Sequence, residues 1–264
     1  MNTAAPSPTP AERAARQAQV VQALGRVVPT HALLWHSEDT TPYECDGLTA
    51  YRQRPLVVCL PETYDEVAAV LKACHQLQVP VVARGAGTGL SGGAMPYAMG
   101  VTLSLARFNR ILSLDPESRT AVVQCGVRNL AISEAAAPYG LYYAPDPSSQ
   151  IACTIGGNVA ENSGGVHCLK YGLTVHNVLR VRGFTAEGEE VTFGSEALDA
   201  PGYDLLAAVI GSEGMLAVAL EATVKLVPKP QLARCIMASF DDVRKAGDAV
   251  AAVIAAGIIP AGLE

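Results

Sequence analysis

The chain has 264 residues, of which 50% are hydrophobic and 17% are charged, and this apolar content excludes a wholly disordered protein. Its 19 Lys and Arg residues against 25 Asp and Glu residues give a formal net charge of −6. A nucleic-acid binder needs a basic face, so this balance argues against that class. The length allows one large domain or two small ones.

The sequence shows neither a cysteine pattern typical of a metal site nor a segment suited to membrane insertion. The seven cysteines are odd in number and none shares CxxC spacing with another, which predicts reduced thiols in a cytoplasmic protein and no metal site. The first residues lack the basic segment and apolar core of a signal peptide. Residues 85–106 are uncharged, but their glycines and proline would leave backbone groups unpaired in lipid, so we predict no direct membrane insertion.

The predicted elements begin with a helix that a capping box at Thr9 starts and that ends near residue 24. Strands at 56–60 and 79–84 flank a second helix, which begins with another capping box at Thr63. This order is a β-α-β unit, and its crossover helix implies parallel pairing of the strands.

The remaining pattern is denser in strands. Further strands are predicted at 101–105, 111–114, 121–125, 178–185, 190–193 and 217–227, and further helices at 127–137, 154–162 and 203–210. After a linker at 229–231 a new unit begins, with a strand at 235–240, a helix at 241–256 and an incipient strand at 258–259. A β-α-β opening of this length cannot close a core, so we expect a chain truncated within a second domain.

The first glycine-rich segment is RGAGTGLSGG at 84–93, directly after a predicted strand. Gly87, Gly89 and Gly92 match the GxGxxG dinucleotide fingerprint, but no helix opens at the third glycine and Asp115 begins a hairpin turn. No GK[ST] sequence is present, which excludes a triphosphate P-loop. Two interpretations remain open: backbone N–H groups that converge on an anion, or a mobile glycine-rich turn.

The second glycine-rich segment, residues 144–165, is nearly free of charge. The helix predicted at 154–162 would offer unpaired N–H groups and a partial positive charge at its N-terminus. Two such segments without a lysine favour a diphosphate that is held and not cleaved, because phosphoryl transfer would need Lys, Arg or a magnesium ion. These residues predict a dinucleotide cofactor outside the Rossmann fold.

Three segments together resemble a known family: PVVARGAGTGLSGG, YYAPDPSSQIACTIGGNVAENSGGVHCLKYG and IGSEGMLAVALEATVKLVPKP. They are similar to the PCMH-type FAD-binding domain of the vanillyl-alcohol oxidase superfamily, and within it to the FAD-linked subunits of bacterial glycolate oxidases. The resemblance implies an α+β fold of two subdomains, a parallel βαβ subdomain and a mainly antiparallel one. It divides the chain into an N-terminal tail, helix and lead-in (1–53), the FAD-binding domain (54–230) and the incomplete start of a C-terminal cap domain (231–264).

The resemblance also implies which residues bind FAD. The first loop would cradle the diphosphate through main-chain N–H groups of Gly85, Ala86, Gly87, Thr88, Gly89, Leu90 and Ser91. The isoalloxazine and ribityl region would be approached by Pro145, Asp146, Ser149, Gly156, Gly157, Asn158 and Asn162, with Gly164, Gly165 and His167 in the same groove. Ile210, Glu213 and Val218 fall where the family closes around the adenine and ribityl part. A structural, partly buried His167 is an equal alternative to flavin contact.

Two positions depart from patterns common in the family. Many members bind FAD covalently through a histidine in an RGxGH loop, and Thr88 stands at that place, so non-covalent FAD is expected. Ala217 stands where a glycine is common. The catalytic residues and the family's histidine-rich metal motif are expected beyond Glu264. No catalytic or metal-binding residue is therefore assigned in this span, which we expect to be inactive alone.

The implied activity is FAD-dependent oxidation of glycolate to glyoxylate, with D-lactate also open. The implied partners are a small 2-hydroxy-acid substrate and the sister flavin subunit and iron–sulfur subunit of a glycolate oxidase complex. The expected location is the cytoplasm, peripheral to the inner membrane through those partner subunits. The alternatives are an FAD-binding fragment without turnover, an enzyme like D-2-hydroxyglutarate dehydrogenase, and a flavin reductase of cell-wall precursor synthesis.

Overall fold

The computed structural model describes residues 8–195 and 201–263. The helices are α1 (Pro10–Leu24), α2 (Ser37–Thr40), α3 (Tyr64–Leu77), α4 (Asn129–Ala136), α5 (Ile155–Glu161), α6 (Cys168–Tyr171), α7 (Thr174–Asn177), α8 (Leu205–Val209) and α9 (Val243–Ala255). The strands are β1 (Leu33–Leu34), β2 (Val57–Cys59), β3 (Val81–Arg84), β4 (Val101–Ser104), β5 (Ile111–Asp115), β6 (Thr120–Gln124), β7 (Leu141–Tyr142), β8 (Val178–Phe184), β9 (Glu190–Gly194), β10 (Val218–Lys225) and β11 (Val227–Pro228). Across these described ranges, no helix has both the length and the apolar character that crossing a membrane would require.

The first sheet has the order β1-β2-β4-β3. The predicted β-α-β unit forms, but β2 and β3 do not pair with each other, because β4 lies between them and is parallel to both. Val101 accordingly stands opposite Val57 on one side and Val81 on the other. The crossover through α3 leaves a gap one strand wide, and the chain fills it only after the glycine-rich loop.

Both predicted capping boxes start their helices. The Thr63 hydroxyl accepts a hydrogen bond of 3.2 Å from the N–H of Glu66, whose carboxylate accepts from the N–H of Thr63 at 3.3 Å. The same reciprocal arrangement links Thr9 and Glu12 at the start of α1. The apolar face of α3 is buried against α1 and the first sheet. These elements enclose the first core.

The second sheet is antiparallel throughout, with the order β5-β6-β10-β8-β9. The hairpin turn predicted at Asp115 is present, since Asp115 Oδ1 accepts from the N–H of Glu117 at 2.9 Å. One face of this sheet packs against α4 and α5 to form a second core. Strand β10 serves both cores: Val218 and Leu220 belong to the first, whereas Ala222 and Val224 belong to the second.

The chain from 231 onward differs from the sequence prediction. Helix α9 forms close to its predicted bounds, but neither the strand predicted at 235–240 nor the incipient strand at 258–259 is present. A short run of apolar residues favours a strand, yet no described strand lies beside 235–240 to pair with its backbone groups. Ile236 is 92% exposed, and residues 231–263 contribute no buried side chain.

Candidate cofactor site

A groove of about 1060 Å³, including its open mouth, begins where β3 ends. Ligands of α/β sheets are commonly bound at the carboxyl ends of parallel strands, and the groove lies at that edge of the first sheet. The groove is lined by the end of β3 and its loop (83–89, 93 and 94), by Leu105 and Cys125, by 149, 153, 154, 156–161 and 163, and by 209, 212–214 and 217–219. Both glycine-rich segments and the start of β10 therefore meet in one place.

The first loop presents its backbone N–H groups without using them inside the protein. Among the described residues, none of the seven N–H groups from Gly85 to Ser91 donates to a protein acceptor. The loop is held from outside instead: Gly47 N–H donates to the carbonyl of Gly89 at 3.0 Å, and Gly92 N–H donates to Asp46 Oδ2 at 2.9 Å. Of the two readings left open by the sequence, this geometry favours the anion-binding loop.

A buried arginine lies beneath this loop, and no local sequence pattern predicts its position there. Arg84 is 8% exposed, its guanidinium lies 5.7 Å from the ring centroid of Tyr43, and its Nη1 donates to the carbonyl of Ala94 at 3.2 Å. Burial lowers the pKa of the guanidinium. Gly87 has φ of 71°, and a Cβ there would collide with the Arg84 guanidinium. Glycine at 87 is thus needed both for its backbone angle and for room above Arg84.

Helix α5 forms within the second segment. The prediction that its first N–H groups are unpaired is wrong for Ile155 and Gly156. The N–H of Ile155 donates to the carbonyl of Val127, and that of Gly156 donates to the carbonyl of Cys125, each at 2.8 Å. A Cβ on Gly156 would lie 2.7 Å from the Cβ of Cys125. Gly156 therefore lets α5 pack against the chain after β6, and the helix terminus is tied to the second sheet.

Three buried polar atoms of the groove have no hydrogen-bond partner in the part of the chain that the structure describes. They are Thr154 Oγ1, Asn158 Nδ2 and Ser212 Oγ. An unpaired buried polar atom costs about 1–3 kcal/mol, so native proteins rarely leave one without a bound partner. A ligand rich in hydroxyl, carbonyl and phosphate oxygens, such as a dinucleotide, suits this set. The residues present therefore fit the group that the sequence implied.

Acidic residues stand beside the same loop, and sequence reasoning singled out only one of them. An atom at the Cβ position of Gly93 would lie 3.0 Å from Glu161 Oε1 and 3.2 Å from Glu213 Oε2. Burial, followed by the charges of Glu213 and Asp46, raises the pKa of Glu161. Spacing could not reveal this approach, because Glu161 and Glu213 lie on separate segments.

The structure brings some of the predicted cofactor residues together and leaves others outside the groove. Those that line it are Gly85, Ala86, Gly87, Thr88, Gly89, Ser149, Gly156, Gly157, Asn158, Glu213 and Val218. Those that do not are Leu90, Ser91, Pro145, Asp146, Asn162, Gly164, Gly165, His167 and Ile210. Six residues of the second set make contacts inside the protein that are described next: Pro145, Asp146, Asn162, Gly165, His167 and Ile210.

Asp146 and His167 form a pair beyond the groove. His167 Nδ1 lies 2.5 Å from Asp146 Oδ2, and the backbone N–H of His167 donates to Asp146 Oδ1 at 3.3 Å. A Cβ on Gly165 would collide with the backbone of Asp146, which explains a glycine there. This geometry favours the structural interpretation of His167 over direct flavin contact.

Other predicted residues hold the backbone. Asn162 ends α5 in the left-handed conformation, and its side-chain oxygen accepts from the N–H of Val175 at 3.0 Å. The carbonyl of Pro145 accepts from Asn129 Nδ2 at 3.0 Å. Ile210 is buried in the second core. These three residues lie outside the groove lining and stabilise the segments that carry it.

The chain matches a known family model and known proteins. Residues 55–194 match the model described as FAD binding domain. The chain is 64% identical over 245 residues to glycolate oxidase subunit GlcD of Escherichia coli (strain K12), covering 93% of this chain and 49% of that protein. It is 36% identical over 215 residues to D-lactate dehydrogenase of Anaerostipes hadrus, covering 81% of this chain and 45% of that protein.

A solved structure supports the fold. Alkyldihydroxyacetonephosphate synthase superimposes with a TM-score of 0.71 at 22% identity, covering 88% of this chain and 43% of that one. The shared fold, with one parallel and one antiparallel sheet, confirms the α+β architecture that the sequence resemblance predicted. The chain spans about half the length of the relatives it matches.

Proposed function

The chain belongs to the family of FAD-binding domains, and from that premise we propose that it is the FAD-carrying part of an enzyme that oxidises a small 2-hydroxy acid, with glycolate as the first candidate. The single observation that carries the binding half of this proposal is the run of backbone N–H groups from Gly85 to Gly89, which border the groove and donate to no acceptor among the described residues. The 64% identity to a glycolate oxidase subunit supports the substrate class.

The groove residues divide the work of holding the cofactor. The Gly85–Gly89 backbone, which lines the groove, would bind the diphosphate, and Arg84 beneath it supplies a buried positive charge. Thr154, Asn158 and Ser212 would satisfy polar groups elsewhere along the dinucleotide. When bound, FAD supplies the hydride acceptor that oxidation of a hydroxy acid requires. The chain's own part is to position that acceptor and to shield it from water.

The FAD is held without a covalent bond in this proposal. Thr88 lines the groove where relatives with covalent FAD carry a histidine, and a threonine hydroxyl is a poor nucleophile. Cys125 also lines the groove, but burial raises the pKa of its thiol to about 12 and keeps it protonated. His167 lies outside the groove lining.

The second candidate substrate is D-lactate, favoured by the 36% identity to a D-lactate dehydrogenase. The E. coli relative is named as a subunit, which supports assembly of this chain with other chains. We propose that these are a sister flavin subunit and an iron–sulfur subunit, which would take up the electrons. A cytoplasmic position, peripheral to the inner membrane through those subunits, belongs to the same proposal.

A segment exchange tests the activity without depending on where this chain ends. The 245-residue segment of the E. coli protein that matches this chain is replaced by this chain, and dye reduction by the assembled complex is measured with glycolate and with D-lactate. We expect glycolate oxidation within about tenfold of the parent complex. A matched exchange carrying Gly87→Val should bind no FAD.

An exchanged protein that binds FAD and assembles, yet oxidises neither acid, would overturn the proposed substrate class. Faster oxidation of D-lactate than of glycolate would replace the first candidate with the second.

A further inference from the structure

One face of α5 is directed at the groove. Thr154, Asn158 and Glu161 follow each other at spacings of four and three residues, which places them on one side of a helix, and all three line the groove. Thr154 and Asn158, 7% and 2% exposed, carry the unpartnered polar atoms described above. Glu161 is thus the third residue of a helix face that borders the groove.

Glu161 shares its surroundings with other carboxylates. Glu213, on the turn after α8, borders the same small space beside Gly93, and Asp46 approaches from the lead-in segment. Like charges this close disfavour simultaneous ionisation, so one carboxyl of the set gains affinity for a proton. The raised pKa of Glu161 agrees with this geometry, although a hydrogen bond from the Ser91 hydroxyl works in the opposite direction.

The neighbours leave Glu161 as the group that takes the proton. Both oxygens of Asp46 already accept backbone N–H groups, from Leu48 at 3.0 Å and Gly92 at 2.9 Å. Glu213 is exposed to solvent, whereas Glu161 is half-buried. Within the described ranges no cation forms an ion pair with Glu161, and Arg84 instead faces Tyr43, Cys45 and Asp46.

We propose that Glu161 is a neutral carboxylic acid in the FAD complex, so that FAD binding takes up a proton from solvent at this residue. The inference rests on FAD as the cofactor of the proposed function. Glu161 Oε1 lies 3.5 Å from the Cβ position of Gly89, within the loop assigned to the diphosphate. An ionised Glu161 would repel that anion, whereas the neutral acid can donate a hydrogen bond.

The direction of the pH effect follows from this linkage. At acid pH Glu161 is protonated with or without FAD, so the Kd for FAD does not change with pH. Above that range the free chain loses the proton while the complex retains it, and Kd rises by up to tenfold per pH unit. FAD affinity should therefore fall as the solution becomes more alkaline.

Calorimetric titration of the whole chain with FAD tests this directly. Titrations in two buffers of different ionisation enthalpy give the number of protons taken up, and Kd is followed from about pH 5.5 to about pH 8.5. The wild-type chain should take up protons. Glu161→Gln should take up none, show a nearly flat Kd, and bind FAD at least tenfold more tightly than wild type at the alkaline end. Glu117→Gln, an exposed glutamate on the 115–118 turn, should behave as wild type.

A second variant guards against a local distortion in Glu161→Gln, whose folding is checked by circular dichroism. Glu213→Gln removes a repelling charge but leaves Glu161 in place, so proton uptake should decrease without vanishing. Equal proton uptake in wild type and Glu161→Gln would overturn the inference, as would FAD binding by wild type without any uptake. A folded wild-type chain that binds no FAD at any pH would instead overturn the proposed function.

Discussion

The backbone N–H of Gly92 donates a 2.9 Å hydrogen bond to Oδ2 of Asp46, which ties the glycine-rich loop to the lead-in segment. The other oxygen of this carboxylate accepts from the N–H of Leu48 at 3.0 Å, and Asp46 is only 4% exposed. A carboxylate beside an anion-binding loop would by its charge alone weaken the binding of an anion there. Its value lies in fixing the loop, and this can be tested.

Replacement of Asp46 by alanine should loosen the loop. Two backbone N–H groups lose their acceptor, which costs about 1–3 kcal/mol for each one that stays buried. We expect faster amide hydrogen exchange across 85–93 and FAD binding weakened by about tenfold. Removal of a negative charge would by itself favour an anionic cofactor, so weaker binding reports on loop geometry. Asp39→Ala, at an exposed position on α2, is the control, and tighter FAD binding by Asp46→Ala would contradict the prediction.

Gly87→Ala should abolish most FAD binding because the new methyl group displaces the Arg84 guanidinium. Gly140→Ala provides a matched control, since Gly140 has a similar φ of 67° but open space around its Cβ position. Both variants carry the backbone cost of a left-handed alanine, about 1 kcal/mol. FAD affinity, measured by flavin fluorescence, should fall at least tenfold for Gly87→Ala and stay unchanged for Gly140→Ala. Equal FAD affinities in the two variants would show that Arg84 does not contribute to FAD binding.

Acid precipitation of the FAD-loaded chain should release the flavin into the supernatant. The physical reason is the absence of a reactive nucleophile at Thr88 and the protonated state of Cys125. Absorbance of the supernatant and mass spectrometry of the pellet provide the measurement. A flavin-modified peptide in the pellet would show that another residue attacks the flavin ring.

Thiol alkylation should sort the cysteines by burial. Burial raises the pKa of Cys59, Cys74 and Cys125 to about 12, so near pH 8 only about one in ten thousand of these thiols is ionised. Cys168 and Cys235 are exposed and should react first with iodoacetamide, as peptide mass spectrometry would record. The thiols of Cys59, Cys74 and Cys125 should react only after denaturation. Modification of Cys125 in the folded chain at the rate of Cys168 would contradict the buried position of its thiol.

Local signals in the sequence predicted the parts of this fold that depend on neighbouring residues. The capping box at Thr63 and the turn at Asp115 each need only three or four consecutive residues, and both form as predicted. The loop at 84–93 also lies where a strand followed by glycines indicated. These features are set by backbone preference, which the sequence displays directly.

Contacts between distant segments could not be predicted in the same way. Nothing near residue 101 indicates that β4 lies between β2 and β3, because strand order depends on which edges remain free. The position of Arg84 under Gly87 and the pairing of the Gly156 N–H with Cys125 are likewise spatial. The strand predicted at 235–240 shows the converse: a suitable pattern forms no strand when no described partner pairs with it.

The central place of β4 bears on how the chain acquires its shape during synthesis. Strands β2 and β3 have no direct ladder between them, so the first sheet cannot close until residues 101–104 have been added. By then the whole loop from 85 to 100 must already span the distance back to the start of the sheet. The loop therefore serves the sheet as well as the cofactor, because it must be long enough to bring β4 back beside β2. Closing this loop is an entropic cost that folding meets before any ligand arrives.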